Sequence, residues 1–305
     1  MKIATQWEIS AHGSNLRIVS FSDSLKFNKT FKINSRRKAV VFIKYKCIDY
    51  NISTYNFKNI ICSNQRQDNL MKCRFADVNY EINNIYYDLE RACRDYLIPY
   101  DSECDEAITI TEQDIDSENN DGGYSREYLE FISVCRKISN NLPLHNAFLF
   151  HSAVFDVSGE GVALTAESGT GKTTHMLLWR KLLGDKLTIV NGDKPFVRFF
   201  DDEPSTPYAY GTPWNGKEKL GCNMRTPLRH ICFIERAEKN SCEKISISDA
   251  INLIFKQIYI PNEPQAAANA LSLVDRLLSS CDLWRIRCNM DISAAQTAYG
   301  TIFSR

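Results

Sequence analysis

The chain has 305 residues, and its basic and acidic side chains balance at 37 each. A balanced charge gives no overall attraction to nucleic acid or to an anionic membrane surface. Hydrophobic residues make up 44% and charged residues 24%, a globular composition in a chain long enough for two domains. The eleven cysteines include no C-x-x-C pair, which argues against a zinc site and favours reduced cysteines.

The apolar runs of the sequence are short. Residues 1–15 lack the apolar stretch of a signal peptide, and no run reaches the roughly 20 apolar residues that span a bilayer. The sequence also has no basic stripe and no nucleic-acid-binding motif. We therefore expect a cytoplasmic protein whose partners include neither a membrane nor a nucleic acid.

Changes in composition along the chain divide it into three regions. Residues 1–105 are rich in Ile, Val, Tyr, Phe and Thr, in short runs separated by turn residues, which predicts a β-rich region. In an enzyme, this region would recognise the substrate or dimerise. Residues 106–124 are acidic and end in a pair of glycines, which predicts a solvated linker, with an acidic docking arm for a basic peptide as the alternative. Residues 125–305 are predicted to form a second, larger domain.

The larger domain alternates helix and strand patterns. An amphipathic helix is predicted over 125–139, and two strands over 147–155 and 161–166 are separated by a turn. A glycine-containing loop leads into a helix over 172–183, with Gly184 as its C-cap, and a strand over 187–191 completes a βαβ unit. The remaining predicted elements are strands at 231–235 and 284–288 and helices at 248–259, 266–279 and 293–302.

The loop after the 161–166 strand carries the clearest chemistry. It reads A-E-S-G-T-G-K-T over residues 166–173, which matches the phosphate-binding pattern G-x-x-x-x-G-K-[ST] except for alanine at the first glycine. Backbone N–H groups at a helix N-terminus bind phosphate oxygens, Lys172 can reach the β- and γ-phosphates, and Thr173 can bind Mg²⁺. The alternative is a glycine turn with an ordinary surface lysine. The predicted nucleotide-binding residues are Glu167, Ser168, Gly169, Thr170, Gly171, Lys172, Thr173 and Thr174.

Two further residues are predicted near this loop. Asp193 follows the next apolar strand, where it could hold Mg²⁺ together with Thr173 or accept a proton from an attacking hydroxyl. A surface-turn aspartate is the alternative, because Asn-Gly-Asp is a good turn sequence. His151 lies on the strand that precedes the loop strand, and it is either functional or a core histidine. We treat His151, Lys172 and Asp193 as candidate catalytic residues.

A loop over residues 210–218 combines turn residues with functional side chains. Within it, Lys217 could contact phosphate, Glu218 could contact metal or substrate, and Trp214 lies between turn residues. The alternative is a plain structured loop.

The segments 151–154, 161–174 and 191–193 together resemble the C-terminal domain of HPr serine kinase/phosphatase. The wider group contains phosphoenolpyruvate carboxykinase and kinases of ribosomally made peptide precursors. The likeness covers residues 145–303, and the 211–217 stretch is similar to a G-[TS]-P-W-x-G-K motif of this group. The family has two adjacent aspartates where this chain has only Asp193, and a glycine where it has Ala166.

The resemblance implies an α/β fold with a mixed sheet, of the HPr-kinase/PEP-carboxykinase P-loop type, preceded by a smaller β-rich domain. It also implies a kinase that transfers phosphate from Mg²⁺-ATP, or GTP, to a serine or threonine hydroxyl of a protein or ribosomally made peptide. His151 would contact the transferred phosphate or the metal, and peptide-maturation enzymes or a second copy of the chain would be partners.

Two other functions stay open. One is a non-catalytic nucleotide-binding accessory protein of a peptide-modification system, which the single acid at position 193 favours. The other is small-molecule chemistry like that of phosphoenolpyruvate carboxykinase, with Arg225 and Arg229 as carboxylate ligands.

Overall fold

The structure, a computed structural model, describes residues 6–12, 15–21, 27–32, 70–86, 88–119 and 122–304. Contacts divide the chain into two compact units, Met1–Asn64 and Gln65–Arg305. The predicted region boundaries at 105/106 and 124/125 therefore fall inside the second unit. Residues 33–69 of the predicted β-rich region lie outside the described residues.

The described residues of the first unit form three strands, which fit the β-rich pattern of its sequence. They are β1 (Gln6–His12), β2 (Asn15–Phe21) and β3 (Phe27–Lys32). Each pairs with the next in an antiparallel sheet of order β1-β2-β3.

The second unit begins with a small sheet and three helices. In this sheet β5 pairs antiparallel with one neighbour and parallel with the other. The elements are β4 (Leu70–Phe75), β5 (Val78–Asn83), α1 (Asp88–Ala92), β6 (Glu106–Thr109), α2 (Glu112–Ser117) and α3 (Arg126–Asn141).

The predicted acidic linker is ordered structure, since β6 and α2 lie within residues 106–124. Its apolar residues Ile108 and Ile115 are buried in the core. Two of its carboxylates pair with a basic side chain of α3: Arg126 donates hydrogen bonds to Glu112 and Asp116. Counting acidic residues alone missed both the apolar residues between them and their partners on the next helix.

A nine-stranded mixed sheet forms the rest of the second unit. Its main path runs β10-β8-β9-β13-β12-β11-β7, and β15 pairs with β13 and β14. Its strands are β7 (Ala147–Leu149), β8 (Ala153–Val157), β9 (Glu160–Thr165), β10 (Leu187–Asn191), β11 (Phe196–Arg198), β12 (Tyr208–Tyr210), β13 (Arg225–Arg236), β14 (Ser241–Lys244) and β15 (Asp282–Cys288).

Four helices accompany the large sheet. They are α4 (Lys172–Leu183), α5 (Ile247–Ile254), α6 (Pro264–Ser280) and α7 (Ile292–Ile302). One core cluster joins the sheet to α4 and α7, with Trp179 and Ala295 among its buried members. A second cluster joins the sheet to α5 and α6 through residues such as Ile254 and Leu277. The sheet is thus covered by helices through two separate apolar cores, giving a mixed α/β fold.

Most predicted elements of this unit are confirmed, but the strand predicted over 147–155 is two strands. Between β7 and β8 the backbone bonds to loops instead of strands. Phe150 N donates to the carbonyl of Pro195, His151 N to that of Gln257, and Ser152 N to that of Asp193. The break at 150–152 therefore turns the His151 backbone toward these loops.

The predicted βαβ unit is present with one strand inserted in its middle. Both β9 and β10 pair antiparallel with β8, so they run parallel to each other on either side of it. The C-terminal ends of β9 and β10 and the start of β8 consequently meet at one edge of the sheet. None of the helices described is long and apolar enough to cross a lipid bilayer.

Candidate functional site

The glycine loop of residues 166–171 connects the end of β9 to the first residue of α4. Gly169 has φ 77° and Gly171 has φ 123°, and no atom lies within 4 Å of a Cβ built at either position. Backbone in this region suits glycine because side chains on Cβ clash with their own backbone there. Conformation, and not lack of space, therefore explains both glycines of the loop.

Lys172 lies across this loop. Its side chain is buried, and its Nζ donates a hydrogen bond of 3.0 Å to the carbonyl oxygen of Ala166, the first loop residue. Burial lowers the pKa of Lys172, and the negative charge of Asp193 opposes that shift. A buried ammonium group thus lies against the first residue of the glycine loop.

Asp193 lies between two other side chains at the sheet edge. Its Oδ1 lies 3.3 Å from Nε2 of His151, and its Oδ2 lies 2.8 Å from Nζ of Lys194. Burial raises the pKa of Asp193, but the hydrogen bond from His151 and the charge of Lys194 outweigh it and lower the pKa to about 2. Asp193 is therefore a stable carboxylate at neutral pH and a weak proton acceptor.

The turn that carries Asp193 is fixed by Asn191. The Oδ1 atom of Asn191 accepts hydrogen bonds from the backbone N–H groups of Asp193 and Lys194, each 2.8 Å long. Its Nδ2 atom donates to Oγ1 of Thr212 over 2.9 Å. Between them, Gly192 has no room for a side chain, since a Cβ there would lie 2.7 Å from the carbonyl oxygen of Asn215. The N-G-D sequence is therefore a rigid support for the carboxylate.

One large cleft contains most of the predicted site residues. Its volume is about 1540 Å³, and we call it the main cleft. That exceeds the roughly 300–1,000 Å³ of ordinary small-molecule pockets. The predicted residues that line it are His151, Ser168, Gly169, Gly171, Lys172, Thr173, Thr174, Asp193, Trp214, Lys217 and Glu218.

A second part of the lining of the main cleft comes from the first part of the same unit. Asp88, Asp95 and Glu127 contribute carboxylates there, and Tyr128 and Phe131 contribute aromatic rings from α3. The lining from the glycine loop and residues 192–219 carries mainly basic side chains, whereas this second wall is mixed in charge and partly aromatic. The two walls thus differ in the chemistry that they offer.

The predicted loop at 210–218 divides into a structural part and an exposed part. Trp214 is only 4% exposed, stacks on Phe131 at a ring distance of 5.3 Å, and donates its indole N–H to the Phe131 carbonyl over 2.8 Å. Lys217 and Glu218 are exposed at the cleft. Trp214 therefore anchors the loop in the core, and the charged pair remains available to a ligand.

Glu167 and Thr170 border a second cavity instead of the main cleft. This side cavity has a volume of about 470 Å³ and lies along the other side of the glycine loop. The carboxylate of Glu167 is 72% exposed and pairs with Nζ of Lys256 over 3.0 Å. Ser168 and Gly169 line both spaces, so the loop forms the partition between them.

Lys194 and Arg236 are two charged residues near the glycine loop and Asp193 that were not predicted from the sequence. Lys194 directly follows Asp193, and its position in the same loop was the available signal. Arg236 comes from the end of β13, where its guanidinium donates to the carbonyl oxygens of Gly169 and Thr170. Arg236 and Thr170 are more than sixty residues apart in the sequence, so no local pattern could have indicated their contact.

The donor set of the cleft fits a magnesium ion held jointly with phosphates. Among the described residues, no three His, Cys, Asp or Glu side chains cluster as a metal site. Mg²⁺ in nucleotide sites takes one or two protein oxygens and completes its shell with phosphates and water. The hydroxyl of Thr173 and the carboxylate of Asp193 both line the cleft and are donors of this kind.

Comparisons with known proteins assign no family. No protein-family model and no curated protein matches the chain. Among solved structures, the HPr(Ser) kinase/phosphatase from Coxiella burnetii is similar, with 10% sequence identity and a TM-score of 0.23. That likeness covers 43% of this chain and 91% of the other.

Proposed function

We propose that this chain is a nucleotide-dependent phosphotransferase. It would bind the phosphates of Mg²⁺-ATP, or GTP, on residues 167–174 and transfer the terminal phosphate to a serine or threonine hydroxyl of a protein or ribosomally made peptide. The observation that carries the proposal is the meeting of Lys172, His151, Asp193 and Lys194 in one cleft with the glycine loop.

The roles of these residues follow from the charges of phosphoryl transfer. The reaction needs alignment and charge neutralisation more than covalent chemistry from the protein. Lys172 and Lys194 supply positive charge, and the loop N–H groups bind phosphate oxygens. Thr173 and Asp193 would hold the magnesium ion, which supplies further positive charge to the phosphates. His151 would be positioned by Asp193 toward the transferred group.

The size of the cleft supports a second substrate besides the nucleotide. The mixed-charge wall with Tyr128 and Phe131 is a suitable surface for a peptide, because aromatic side chains bury area at low entropic cost. A small-molecule carboxylate chemistry is less well supported. Arg225, one of its candidate ligands, pairs with Asp77 over 2.9 Å and is absent from the lining of the main cleft.

A second candidate is a nucleotide-binding accessory protein without transferase activity. The observation in its favour is that both oxygens of Asp193 already have protein partners. A carboxylate engaged in this way is a poor base, although it can still act as a charge.

The Asp193→Asn variant separates the two candidates. The protein would be incubated with Mg²⁺-ATP and a pool of random serine-containing peptides, and products would be followed by mass spectrometry. The transferase proposal predicts a phosphate-sized mass gain with the wild type and its loss in Asp193→Asn, which still binds nucleotide. Nucleotide binding by the wild type without any phosphorylated peptide or ADP formation would favour the accessory role.

A further inference from the structure

The segment that follows α5 is attached by its backbone to the strand of His151. Ile258 forms a β-bridge with Phe150, and Tyr259 N donates to the Leu149 carbonyl over 3.2 Å. The carbonyl oxygen of Gln257 accepts a hydrogen bond of 2.7 Å from the backbone N–H of His151. Gln257 is therefore held directly beside His151 at the edge of the sheet.

The side chain of Gln257 carries an unsatisfied polar atom. The residue is 6% exposed, and its Oε1 is buried with no hydrogen-bond partner in the described structure. Buried amide oxygens normally have a donor, because an unpaired one loses its water without compensation. Gln257 also borders both the main cleft and the side cavity. The oxygen itself is enclosed, so a ligand can supply the missing donor only once the amide turns toward the cleft.

Asp193 is poorly placed to orient an attacking hydroxyl, because its two oxygens already have partners. An attacking hydroxyl needs a hydrogen-bond acceptor to orient its oxygen toward phosphorus. Asp193 is engaged on both sides, with His151 at Oδ1 and Lys194 at Oδ2. Gln257, by contrast, lines the same cleft and has a free amide oxygen.

We propose that Gln257 binds and orients the hydroxyl group that attacks the terminal phosphate. This inference rests on the transferase function proposed above and adds a residue that touches the acceptor. A turn about the last side-chain torsion, which has a broad energy profile, would present Oε1 to the cleft. The acceptor O–H then donates to Oε1 and keeps a lone pair directed at phosphorus.

Phosphoryl transfer does not require Gln257 to act as a base. The acceptor oxygen forms a bond to the terminal phosphorus, and the bond from that phosphorus to the bridging oxygen breaks. ADP leaves with the electron pair. Once the bond to phosphorus has formed, the acceptor proton leaves its hydrogen bond to Oε1 and passes to a phosphoryl oxygen and then to water. The amide orients the hydroxyl and does not gain or lose a proton.

The test compares Gln257→Met, which keeps the length of the side chain and removes the acceptor, with Gln257→Glu, which keeps an acceptor oxygen. The matched control is Gln265→Met, which replaces an exposed glutamine at the start of α6. Each protein is assayed for binding of a fluorescent ATP analogue, for thermal melting, and for ADP formation from Mg²⁺-ATP. ADP formation is measured in water alone and with a pool of random serine-containing peptides.

We expect Gln257→Met to bind the analogue within about twofold of wild type and to form ADP about 100-fold more slowly, the cost of a misplaced nucleophile. Its melting temperature should equal or exceed that of wild type, because an unpaired buried oxygen is removed. Gln257→Glu should retain more turnover than Gln257→Met, and Gln265→Met should match wild type.

Three outcomes would overturn the inference. Gln257→Met with ADP formation within about threefold of wild type would show that Gln257 does not orient the nucleophile. Lower melting temperature together with lost nucleotide binding would make Gln257 a packing residue. A wild type that forms no ADP would remove the role for Gln257, and one that also fails to bind nucleotide would reject the proposed function itself.

Discussion

The imidazole Nε2 of His151 lies 3.3 Å from Oδ1 of Asp193, although the two residues come from different loops at the edge of the sheet. The main chain strengthens this contact, because Ser152 N donates to the Asp193 carbonyl over 3.0 Å. Both side chains line the cleft that contains Lys172. The imidazole and the carboxylate are thus held together by side chain and main chain, and the proposed function assigns them to the transferred phosphate and not to the nucleotide as a whole.

The first prediction concerns His151→Ala. Removing the imidazole should lower phosphate transfer or ADP formation about 100-fold, because one positioned polar group typically contributes that much. Nucleotide affinity should change far less, since the loop and Lys172 remain. Steady-state turnover and equilibrium binding measure the two effects separately.

The control for this variant is His145→Ala. His145 also contacts a carboxylate, with Nε2 of His145 lying 2.8 Å from Oε1 of Glu106, but it is absent from the lining of the main cleft. It should leave turnover unchanged. If His151→Ala also leaves turnover unchanged, His151 is a structural residue of the sheet edge.

Arg236 supports the second prediction. Its guanidinium holds the carbonyl oxygens of Gly169 and Thr170, so the loop N–H groups face away from it. Arg236→Ala should weaken nucleotide binding about fivefold, the effect of about 1 kcal/mol from exposed charge-assisted hydrogen bonds. Isothermal titration with Mg²⁺-ATP measures the change.

Arg229 is an exposed arginine on the same strand, β13, and Arg229→Ala is the matched control for this effect. Equal affinities of wild type and Arg236→Ala would mean that the loop keeps its conformation without the guanidinium.

The third prediction concerns pH. His175 on α4 is 2% exposed and its Nδ1 accepts a hydrogen bond of 3.1 Å from the indole of Trp179, so the ring is neutral in the folded protein. Burial lowers the pKa of His175 from 6.5 to about 4. As pH falls, His175 takes up a proton in the unfolded chain before it does so in the folded protein. The folded state therefore loses stability between about pH 6.5 and pH 4.

Protonation of this histidine should lower the free energy of unfolding by about 3 kcal/mol between pH 6.5 and pH 4. Urea unfolding of wild type and His175→Gln at pH 7 and at pH 4 measures it, because glutamine does not titrate. The free energy of unfolding should fall more steeply in wild type. Parallel pH dependences of the two proteins would contradict a buried neutral histidine.

Much of the large sheet could be predicted from sequence, because its elements depend on local signals. Helix α4 begins after Gly171 and has Gly184 as its C-cap, and β10 ends at Asn191, as the sequence predicted. Candidate site residues His151, Lys172 and Asp193 also lie in one cleft. Lys172 and Asp193 come after the ends of β9 and β10, and strand ends gather at one edge of a sheet. His151 was predicted within a strand, and the break at 150–152 places it at this edge.

Contacts between distant segments could not be predicted in this way. The break in the strand predicted over 147–155 depends on loops about 45 and 105 residues later, which accept the hydrogen bonds of Phe150 and His151. Trp214, a candidate ligand-binding residue, borders the main cleft, but its packing on Phe131 of α3 could not be predicted. Local composition carries no information about such partners.

The most direct test of the central claim is the binding of Mg²⁺-ATP to wild type and Lys172→Ala, with Lys181→Ala on the same helix as control. Lys172 is the buried ammonium group at the glycine loop. We expect saturable binding by wild type and by Lys181→Ala, and a loss of at least about 100-fold in affinity for Lys172→Ala, as removal of a desolvated charge contact costs several kcal/mol. Equal binding by all three proteins, or no binding by wild type, would contradict the assignment of this loop as a phosphate site.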